Sequence, residues 1–334
     1  MAGGQSVAVY GAGSWGTALA IHLARNGNRV TLWGRDPARQ AELRARGENA
    51  RYLPGIPFPP GLTPVDELAA AVATADLHLV VVPSEGFRAM LTALRPLLPA
   101  GAGLVWATKG IETGSGKLLH EVVGEVFGPD WPYALVSGPT FAREVALGMP
   151  TAMAAAANRP ALLERLIAAF HGGSMRIYRN DDIVGIELGG AVKNVLAIAA
   201  GIADGLGFGA NARAALITRG LAEITRLAEA LGARRETLMG LAGLGDLVLT
   251  CTDDQSRNRR FGLLLGQGHD QQTALQRIGQ VVEGMVTASV ILSVAERAGV
   301  EMPICAEVNK VLYEGLPPQQ AVSDLLARRQ RAEF

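Results

Sequence analysis

A lysine in an unusually apolar stretch is the first residue of this sequence that could do chemistry. Lys193 lies in the segment Glu-Leu-Gly-Gly-Ala-Val-Lys-Asn-Val, which begins at Glu187 and is rich in small and aliphatic residues. Removing an amine from water lowers its pKa, so a lysine in such surroundings can serve as a general acid or base near neutral pH. The alternative is a structural ion pair with Glu187, and the sequence leaves both open.

A second lysine and a cluster of polar residues indicate an anion site. Lys109 follows the apolar run Gly103–Ala107, and ligands bind at the carboxyl ends of strands in open α/β sheets. The triplet Ser256-Arg257-Asn258 predicts a helix with Ser256 as its N-cap, and free N–H groups beside an arginine suit a phosphate. The plainer alternatives are a solvated lysine and an ordinary cap. We expect the preceding acidic pair, residues 253 and 254, to point to solvent.

A glycine pattern near the N-terminus predicts where a dinucleotide would bind. Gly11, Gly13 and Gly16 follow the apolar run Ser6–Tyr10 and precede a helix-like segment. In this strand-turn-helix context the three glycines allow a tight turn, close approach of a pyrophosphate and close packing of helix on strand. A glycine-rich structural turn is the alternative.

The end of the second predicted strand bears on the choice of cofactor. An acid at this point binds the ribose 2′-OH of NAD, whereas an arginine can meet the 2′-phosphate of NADP. Here Arg35 and Asp36 stand side by side after the strand Arg29–Trp33. The sequence favours acceptance of NADP without excluding NAD, and the alternative is that Arg35 is a solvated loop charge.

These candidate residues must be positioned by two kinds of architecture. Apolar strand-like runs and helices alternate up to about residue 180, a pattern typical of a doubly wound sheet. Beyond Asp181 only helical patterns follow. The sequence therefore predicts a Rossmann-type α/β domain over 1–181 and an all-helical domain over 182–334, which is expected to supply substrate contacts.

Composition excludes several other classes of protein. Lys plus Arg and Asp plus Glu are each 31, and this zero net charge gives no reason to expect nucleic acid or an anionic membrane as a partner. The only two cysteines are Cys251 and Cys305, which form neither a disulfide framework nor a metal cluster with the five histidines. We therefore expect no metal and a reducing, cytoplasmic setting. The segment Ile183–Ala203 is apolar enough for a membrane span, but its charged residues favour a buried helix and no membrane insertion.

Seven sequence blocks together resemble one enzyme family, the bacterial NAD(P)-dependent sn-glycerol-3-phosphate dehydrogenases. The blocks occur in the family's order and cover nearly the whole chain. They are Gly-Ala-Gly-Ser-Trp-Gly-Thr-Ala-Leu-Ala (11–20), Ala-Thr-Lys-Gly (107–110), Ser-Gly-Pro-Thr-Phe-Ala (137–142), Glu-Leu-Gly-Gly-Ala-Val-Lys-Asn-Val (187–195), Gly-Leu-Gly-Asp (243–246), Ser-Arg-Asn-Arg-Arg-Phe-Gly (256–262) and Val-Glu-Gly (282–284).

The resemblance implies an activity and a set of site residues. It implies reduction of dihydroxyacetone phosphate to sn-glycerol 3-phosphate with NADPH or NADH, which feeds glycerophospholipid synthesis. Lys193 would move the proton, with Lys109 and Asp246 beside the reacting carbonyl. The implied substrate contacts are Lys109, Gly138, Thr140, Asp246, Ser256, Arg257 and Asn258. The implied cofactor contacts, besides Gly11, Gly13 and Gly16, are Ser14, Trp15, Arg35, Lys109, Ala142, Arg257, Val281 and Glu283.

Two alternatives of other classes stay open at this point. One is another Rossmann-plus-helical-domain enzyme, such as a reductase of hydroxy acids or of ketopantoate, which the phosphate cradle at Ser256 argues against. The other is a sensor that binds NADP(H) without catalysis, in which a lysine in an apolar helix would have no purpose. Related enzymes suggest a homodimer.

Overall fold

The structure, a computed structural model, describes residues 4–329. The chain divides into two compact units. The first holds the chain up to Glu112 together with Lys117–Glu187, and the second holds Thr113–Gly116 together with the chain from Leu188 onward. The predicted domain boundary between residues 181 and 182 stays a prediction. The chain crosses between the units for the last time after Glu187, within the helix Ile183–Gly205.

The first unit is built on one eight-stranded sheet. Its strands are β1 (Ser6–Tyr10), β2 (Arg29–Trp33), β3 (Leu62–Val65), β4 (Leu77–Val80), β5 (Gly103–Trp106), β6 (Tyr133–Ser137), β7 (Thr151–Ala157) and β8 (Met175–Arg179). They lie in the order β3-β2-β1-β4-β5-β6-β7-β8. The first six strands run parallel, β7 runs antiparallel to β6, and β8 runs parallel to β7. The order reverses between β1 and β4, the kind of switch point at which open sheets bind ligands.

Seven α-helices and a short 3-10 helix, Ser84–Gly86, accompany the sheet among the described residues of the first unit. The α-helices are α1 (Ser14–Arg25), α2 (Pro37–Arg46), α3 (Leu68–Ala73), α4 (Phe87–Leu94), α5 (Leu119–Phe127), α6 (Ala142–Leu147) and α7 (Pro160–Phe170). Every residue of β1, β4 and β5 is buried, as expected for parallel strands with both faces covered. The predicted doubly wound α/β class is thereby confirmed.

The sequence patterns miss two elements of this unit. The segment 51–64 is rich in proline and glycine, a composition that predicts an ordered loop, but its last residues belong to β3, which contains Pro64. Proline lacks the N–H that a central strand needs, and it is tolerated here because β3 is the edge of the sheet. The short helix α6 begins at Ala142, the last residue of the predicted site segment 137–142, and was not expected.

The second unit is helical, and no strand follows β8 in the part of the chain that the structure describes. After α8 (Ile183–Gly205), which begins in the first unit, come α9 (Ala210–Ala230), α10 (Arg235–Leu238), α11 (Asp246–Thr252), α12 (Arg257–Gly266), α13 (Gln271–Ile278), α14 (Glu283–Arg297), α15 (Pro303–Tyr313) and α16 (Pro318–Leu326). A π-helical turn, Leu241–Gly245, leads directly into α11. Neither α10, the π turn nor α11 was predicted.

Helix α8, with 23 residues, is the longest helix among the described residues. It is the one helix among the described residues that is long and apolar enough to cross a membrane, yet most of it is buried inside the protein. A Cβ atom on Gly201 or Gly205 would lie only 2.0 or 2.4 Å from a carbonyl oxygen of α12. A Cβ on Gly262 or Gly266 would meet carbonyl oxygens of α8 at 2.1 and 2.4 Å. The apolar composition therefore serves close packing of two helix backbones.

Candidate active site

The glycine turn between β1 and α1 has the geometry of a dinucleotide-binding turn. Gly11 has a φ of +126°, and a Cβ there would lie 2.3 Å from the carbonyl oxygen of Val81. A Cβ on Gly16 would lie 1.9 Å from the carbonyl oxygen of Gly11, whereas Gly13 faces open space within 4 Å. Helix α1 begins at Ser14 without a side-chain cap, so its first N–H groups are not taken by a capping side chain. The chain thus presents uncapped donors at an open glycine, which suits a pyrophosphate.

The two charged residues after β2 have separate surroundings. Asp36 caps α2, because its Oδ1 accepts from the backbone N–H groups of Ala38 (3.0 Å) and Arg39 (3.3 Å). Arg35 is exposed. Both side chains are exposed, but one carboxylate oxygen of Asp36 is used as the cap of α2, whereas Arg35 has no such role.

Three predicted residues of the first unit are in contact at the carboxyl ends of β5 and β6. Lys109 Nζ donates to the carbonyl oxygen of Gly138 at 3.0 Å and lies 3.5 Å from Thr140 Oγ1. Nearby, Trp15 Nε1 donates to the carbonyl oxygen of Ala107 at 3.1 Å, which fixes the indole at the start of α1. Ala142 is the first residue of α6 and is partly buried.

In the second unit, Lys193 forms a buried ion pair. Its Nζ donates to Asp246 Oδ1 at 2.5 Å and to Thr250 Oγ1 at 2.9 Å. The side chains of Lys193 and Asp246 are 8% and 0% exposed, so both charges depend on each other for stabilisation. The surroundings are strongly desolvating, since burial raises the pKa of the neighbouring Cys251 thiol to about 12. That thiol is therefore not a nucleophile near neutral pH.

Glu187, the alternative partner of Lys193, pairs with a histidine. It accepts from the backbone N–H of His120 at 2.9 Å and from His120 Nδ1 at 2.5 Å. Burial lowers the pKa of His120, but the hydrogen bond and the charge of Glu187 outweigh burial and raise that pKa overall. This contact ties the first turn of α8 to α5 within the first unit.

The predicted anion cradle lies at the N-terminus of α12. Ser256 is the N-cap, with its hydroxyl accepting from the N–H of Arg259 at 3.2 Å. Arg257 is half-buried, and its Nη1 lies 3.4 Å from Gln280 Oε1. Asn258 is buried, donating to Asn194 Oδ1 and accepting from the N–H of Gly284, each at 2.9 Å. This segment is thus linked to the residue after Lys193 and to the start of α14.

The acidic pair before α12 behaves only partly as expected. Asp254 is exposed, but its carboxylate also forms an ion pair with Arg259. Asp253 accepts from the backbone N–H of Gln255 at 2.7 Å. Arg259 itself is largely buried and also donates to Asp204 at 2.6 Å. Asp254 is thus paired with Arg259, a residue that the sequence did not identify as part of the site.

The remaining predicted residues lie near the start of α14, and two further polar residues near Lys193 were not predicted. Val281 is exposed and Glu283 half-buried at the start of α14, where Glu283 Oε2 lies 3.4 Å from Asn194 Nδ2. Thr250 was not proposed as a site residue, although it lies four residues after Asp246 and so on the same helical face. Asn194 was also missed, and only its tertiary partners reveal it. Among the described residues there is no group of three His, Cys, Asp or Glu that could hold a metal ion.

Comparison with protein families matches both parts of the chain to one family. The model described as "NAD-dependent glycerol-3-phosphate dehydrogenase N-terminus" matches residues 6–163. Its C-terminal counterpart matches residues 182–323.

Relatives and solved structures agree with these matches. A protein of Thioalkalivibrio sulfidiphilus named glycerol-3-phosphate dehydrogenase [NAD(P)+] is 60% identical over 328 residues, covering 98% of each chain. The crystal structure of glycerol-3-phosphate dehydrogenase from Coxiella burnetii is 50% identical with a TM-score of 0.94, covering 97% of this chain and 99% of that chain. A ketopantoate reductase from Ralstonia eutropha is only 17% identical with a TM-score of 0.60, covering 95% and 99%, and shares the fold alone.

Proposed function

This chain belongs to the NAD-dependent glycerol-3-phosphate dehydrogenase family, and from that premise we propose that it interconverts dihydroxyacetone phosphate and sn-glycerol 3-phosphate with NADPH or NADH. The observation that carries the proposal is the buried pair of Lys193 and Asp246. A ketone that gains a hydride develops negative charge on its oxygen and must be protonated. A buried ammonium stabilises that charge and supplies the proton, which is general acid catalysis.

Asp246 has a supporting role in this mechanism. Its carboxylate favours the charged form of Lys193 and orients the amine, while Thr250 accepts a second hydrogen bond from the same nitrogen. In the oxidative direction Lys193 would accept the proton of the alcohol instead. Lys109, held by the carbonyl oxygen of Gly138, would add positive potential at the substrate.

The first unit fits a nicotinamide dinucleotide. Gly13 leaves room for the pyrophosphate at the uncapped start of α1, where the helix dipole favours an anion, while Gly11 and Gly16 allow the close backbone contacts that form the turn. When bound, the cofactor supplies the hydride. The further contacts that we propose are Ser14, Trp15, Arg35, Lys109, Ala142, Arg257, Val281 and Glu283.

The substrate phosphate is proposed to bind at the start of α12. Arg257 offers a guanidinium, and the capping Ser256 marks a helix N-terminus with its positive dipole end. Asn258 uses one amide hydrogen on Asn194, and its second amide hydrogen is the donor proposed for substrate. Gly138 and Thr140 are the contacts proposed beside Lys109.

The experiment that tests the function is an assay of NADPH and NADH oxidation by absorbance. Dihydroxyacetone phosphate should support oxidation, while unphosphorylated dihydroxyacetone should not, because it lacks the group that Arg257 would bind. Oxidation with ketopantoate or another keto acid, and none with the phosphate ester, would replace the proposed substrate. Cofactor binding without turnover of any ketone would favour a sensor.

Substitution of Lys193 tests the mechanism. Lys193→Ala should lower kcat by about 10²–10⁴, the usual contribution of a positioned acid or base. Cofactor affinity, measured by quenching of tryptophan fluorescence, should stay unchanged. Lys310→Ala, which removes an amine paired with Glu307 on the half-exposed face of α15, is the matched control and should keep full activity. Undiminished turnover by Lys193→Ala would rule out this lysine as the proton donor.

Three further assignments concern the cofactor, the cellular setting and the oligomeric state. Exposed Arg35 and the capping role of Asp36 support acceptance of NADPH. Two buried free cysteines support a reducing, cytoplasmic setting, and family membership supports a role in phospholipid synthesis. A homodimer, which light scattering would test, is supported by exposed large apolar side chains of the second unit. These side chains are Phe208, Met239, Val248, Val281, Tyr313 and Leu326.

A further inference from the structure

The backbones of α8 and of the π turn touch each other just before the catalytic pair. A Cβ atom on Gly189 would lie 2.4 Å from the carbonyl oxygen of Ala242 and 2.9 Å from its carbonyl carbon. Both are backbone atoms, so no side-chain rotation could relieve the clash. Since ordinary contact begins at 3.4 Å, any side chain at residue 189 would push the two segments apart by roughly 1 Å.

This contact is in register with the Lys193–Asp246 pair. Lys193 follows Gly189 by four residues, which places both on the same face of α8, about 6 Å apart along the axis. Asp246 likewise follows Ala242 by four residues, across the end of the π turn. The separation of the two backbones at Gly189 therefore sets the distance that the ion pair must span one turn later.

We propose that Gly189 is a positioning residue for the reaction, because its missing side chain lets the π turn approach α8 closely enough for Asp246 to hold the ammonium of Lys193. The inference rests on the proposed function of that pair. π-helical turns are often found at functional sites, and this one presents the partner of the catalytic amine. A conventional helical turn at residues 241–245 would direct Asp246 differently.

The first test is Gly189→Ala. A displacement of about 1 Å at a reacting group can cost on the order of 100-fold in rate, so kcat should fall by about 10- to 100-fold. The KM for NADPH should change much less than kcat, because the glycine turn proposed to hold its pyrophosphate lies in the first unit and the proposed contacts Arg257, Val281 and Glu283 lie outside α8 and the π turn. The pH profile of kcat should also move toward lower pH, since a more distant carboxylate favours the ammonium less.

Gly205→Ala is a closely matched control. It is the same substitution in the same helix, and its Cβ would meet the carbonyl oxygen of Leu263 at the same 2.4 Å. It lies twelve residues from Lys193, about 18 Å along α8. Both variants should lower the melting temperature, but Gly205→Ala should keep kcat within about twofold of the parent and leave the pH profile in place.

A second-site change makes the test specific. Asp246→Glu adds one methylene, which about matches the widening caused by Gly189→Ala. The double variant Gly189→Ala/Asp246→Glu should therefore recover a good part of the kcat lost by Gly189→Ala alone. A crystal structure of Gly189→Ala should show Lys193 Nζ and Asp246 Oδ1 beyond hydrogen-bond distance, whether or not the enzyme turns over dihydroxyacetone phosphate.

The outcomes separate the two proposals. An inactive parent enzyme would reject the proposed function, while the crystal structure would still decide the role of Gly189. An active parent with kcat and pH profile unchanged in Gly189→Ala would reject the positioning role. So would failure of Gly189→Ala to fold while Gly205→Ala folds, because the contact would then serve stability of the fold rather than placement of the pair.

Discussion

Glu223 gives the helical unit a stability that depends on pH. Its carboxylate, 3% exposed on α9, accepts from the N–H groups of Ile304 (2.8 Å) and Cys305 (3.4 Å) at the start of α15. Burial raises the pKa of Glu223 from 4.5 to about 7, although these hydrogen bonds and the charges of Arg226 and Arg328 act in the opposite direction. The folded protein therefore holds a proton at Glu223 more tightly than the unfolded chain.

The sign and size of the effect follow from this difference. The protonated carboxyl of Glu223 stabilises the folded state fully below the unfolded pKa of 4.5, and this stabilisation is lost as the pH rises through 7. Each pKa unit corresponds to about 1.4 kcal/mol, so ionisation of Glu223 removes about 3 kcal/mol from the free energy of unfolding. Most of that loss falls between pH 5 and pH 8.

The perturbation is Glu223→Gln, which keeps an oxygen acceptor but cannot ionise. The free energy of unfolding of the variant minus that of the parent should increase by roughly 2–3 kcal/mol from pH 5 to pH 8. Urea titrations of both proteins at the two pH values measure this gain. Glu229→Gln, on the same helix but in an exposed pair with Arg235, is the control and should change stability by less than about 1 kcal/mol. A difference between parent and Glu223→Gln that is equal at both pH values would refute the reasoning.

Two further predictions concern binding. Arg257→Ala should raise the KM for dihydroxyacetone phosphate by about 10- to 100-fold, the value of one or two charge-assisted hydrogen bonds, and an effect confined to kcat would contradict the cradle. Arg35→Ala should raise the KM for NADPH by about tenfold or more while leaving that for NADH nearly unchanged, and equal effects on the two would show that Arg35 does not meet a 2′-phosphate.

The sequence predicts the parts of this fold that depend on local pattern. The glycine turn and the buried strands β1, β4 and β5 follow from spacing and continuous apolar runs. The direction of β7 does not, because an alternating or apolar run looks the same in parallel and antiparallel pairing. The edge strand β3 was hidden by its proline in a segment rich in proline and glycine.

The candidate site shows the same division. The helix cap at Ser256 is a local feature, and the structure contains it as predicted. The partner of Lys193 is not local, since Asp246 lies 53 residues away and the candidate within the same helix, Glu187, pairs with His120 instead. A pattern can mark a lysine as desolvated, but only tertiary contacts show which carboxylate compensates it.

The four-residue segment Thr113–Gly116 has a consequence for how this enzyme can be divided. The polypeptide passes between the two units three times, around this segment and again after Glu187. A fragment that ended before α8 would lose Glu187, the acceptor of two hydrogen bonds from His120, and a fragment that began with α8 would lack 113–116. Neither unit can therefore be expressed as one continuous fragment of the chain. Proteolytic cleavage near residue 115 would separate residues of the second unit from the rest of that unit.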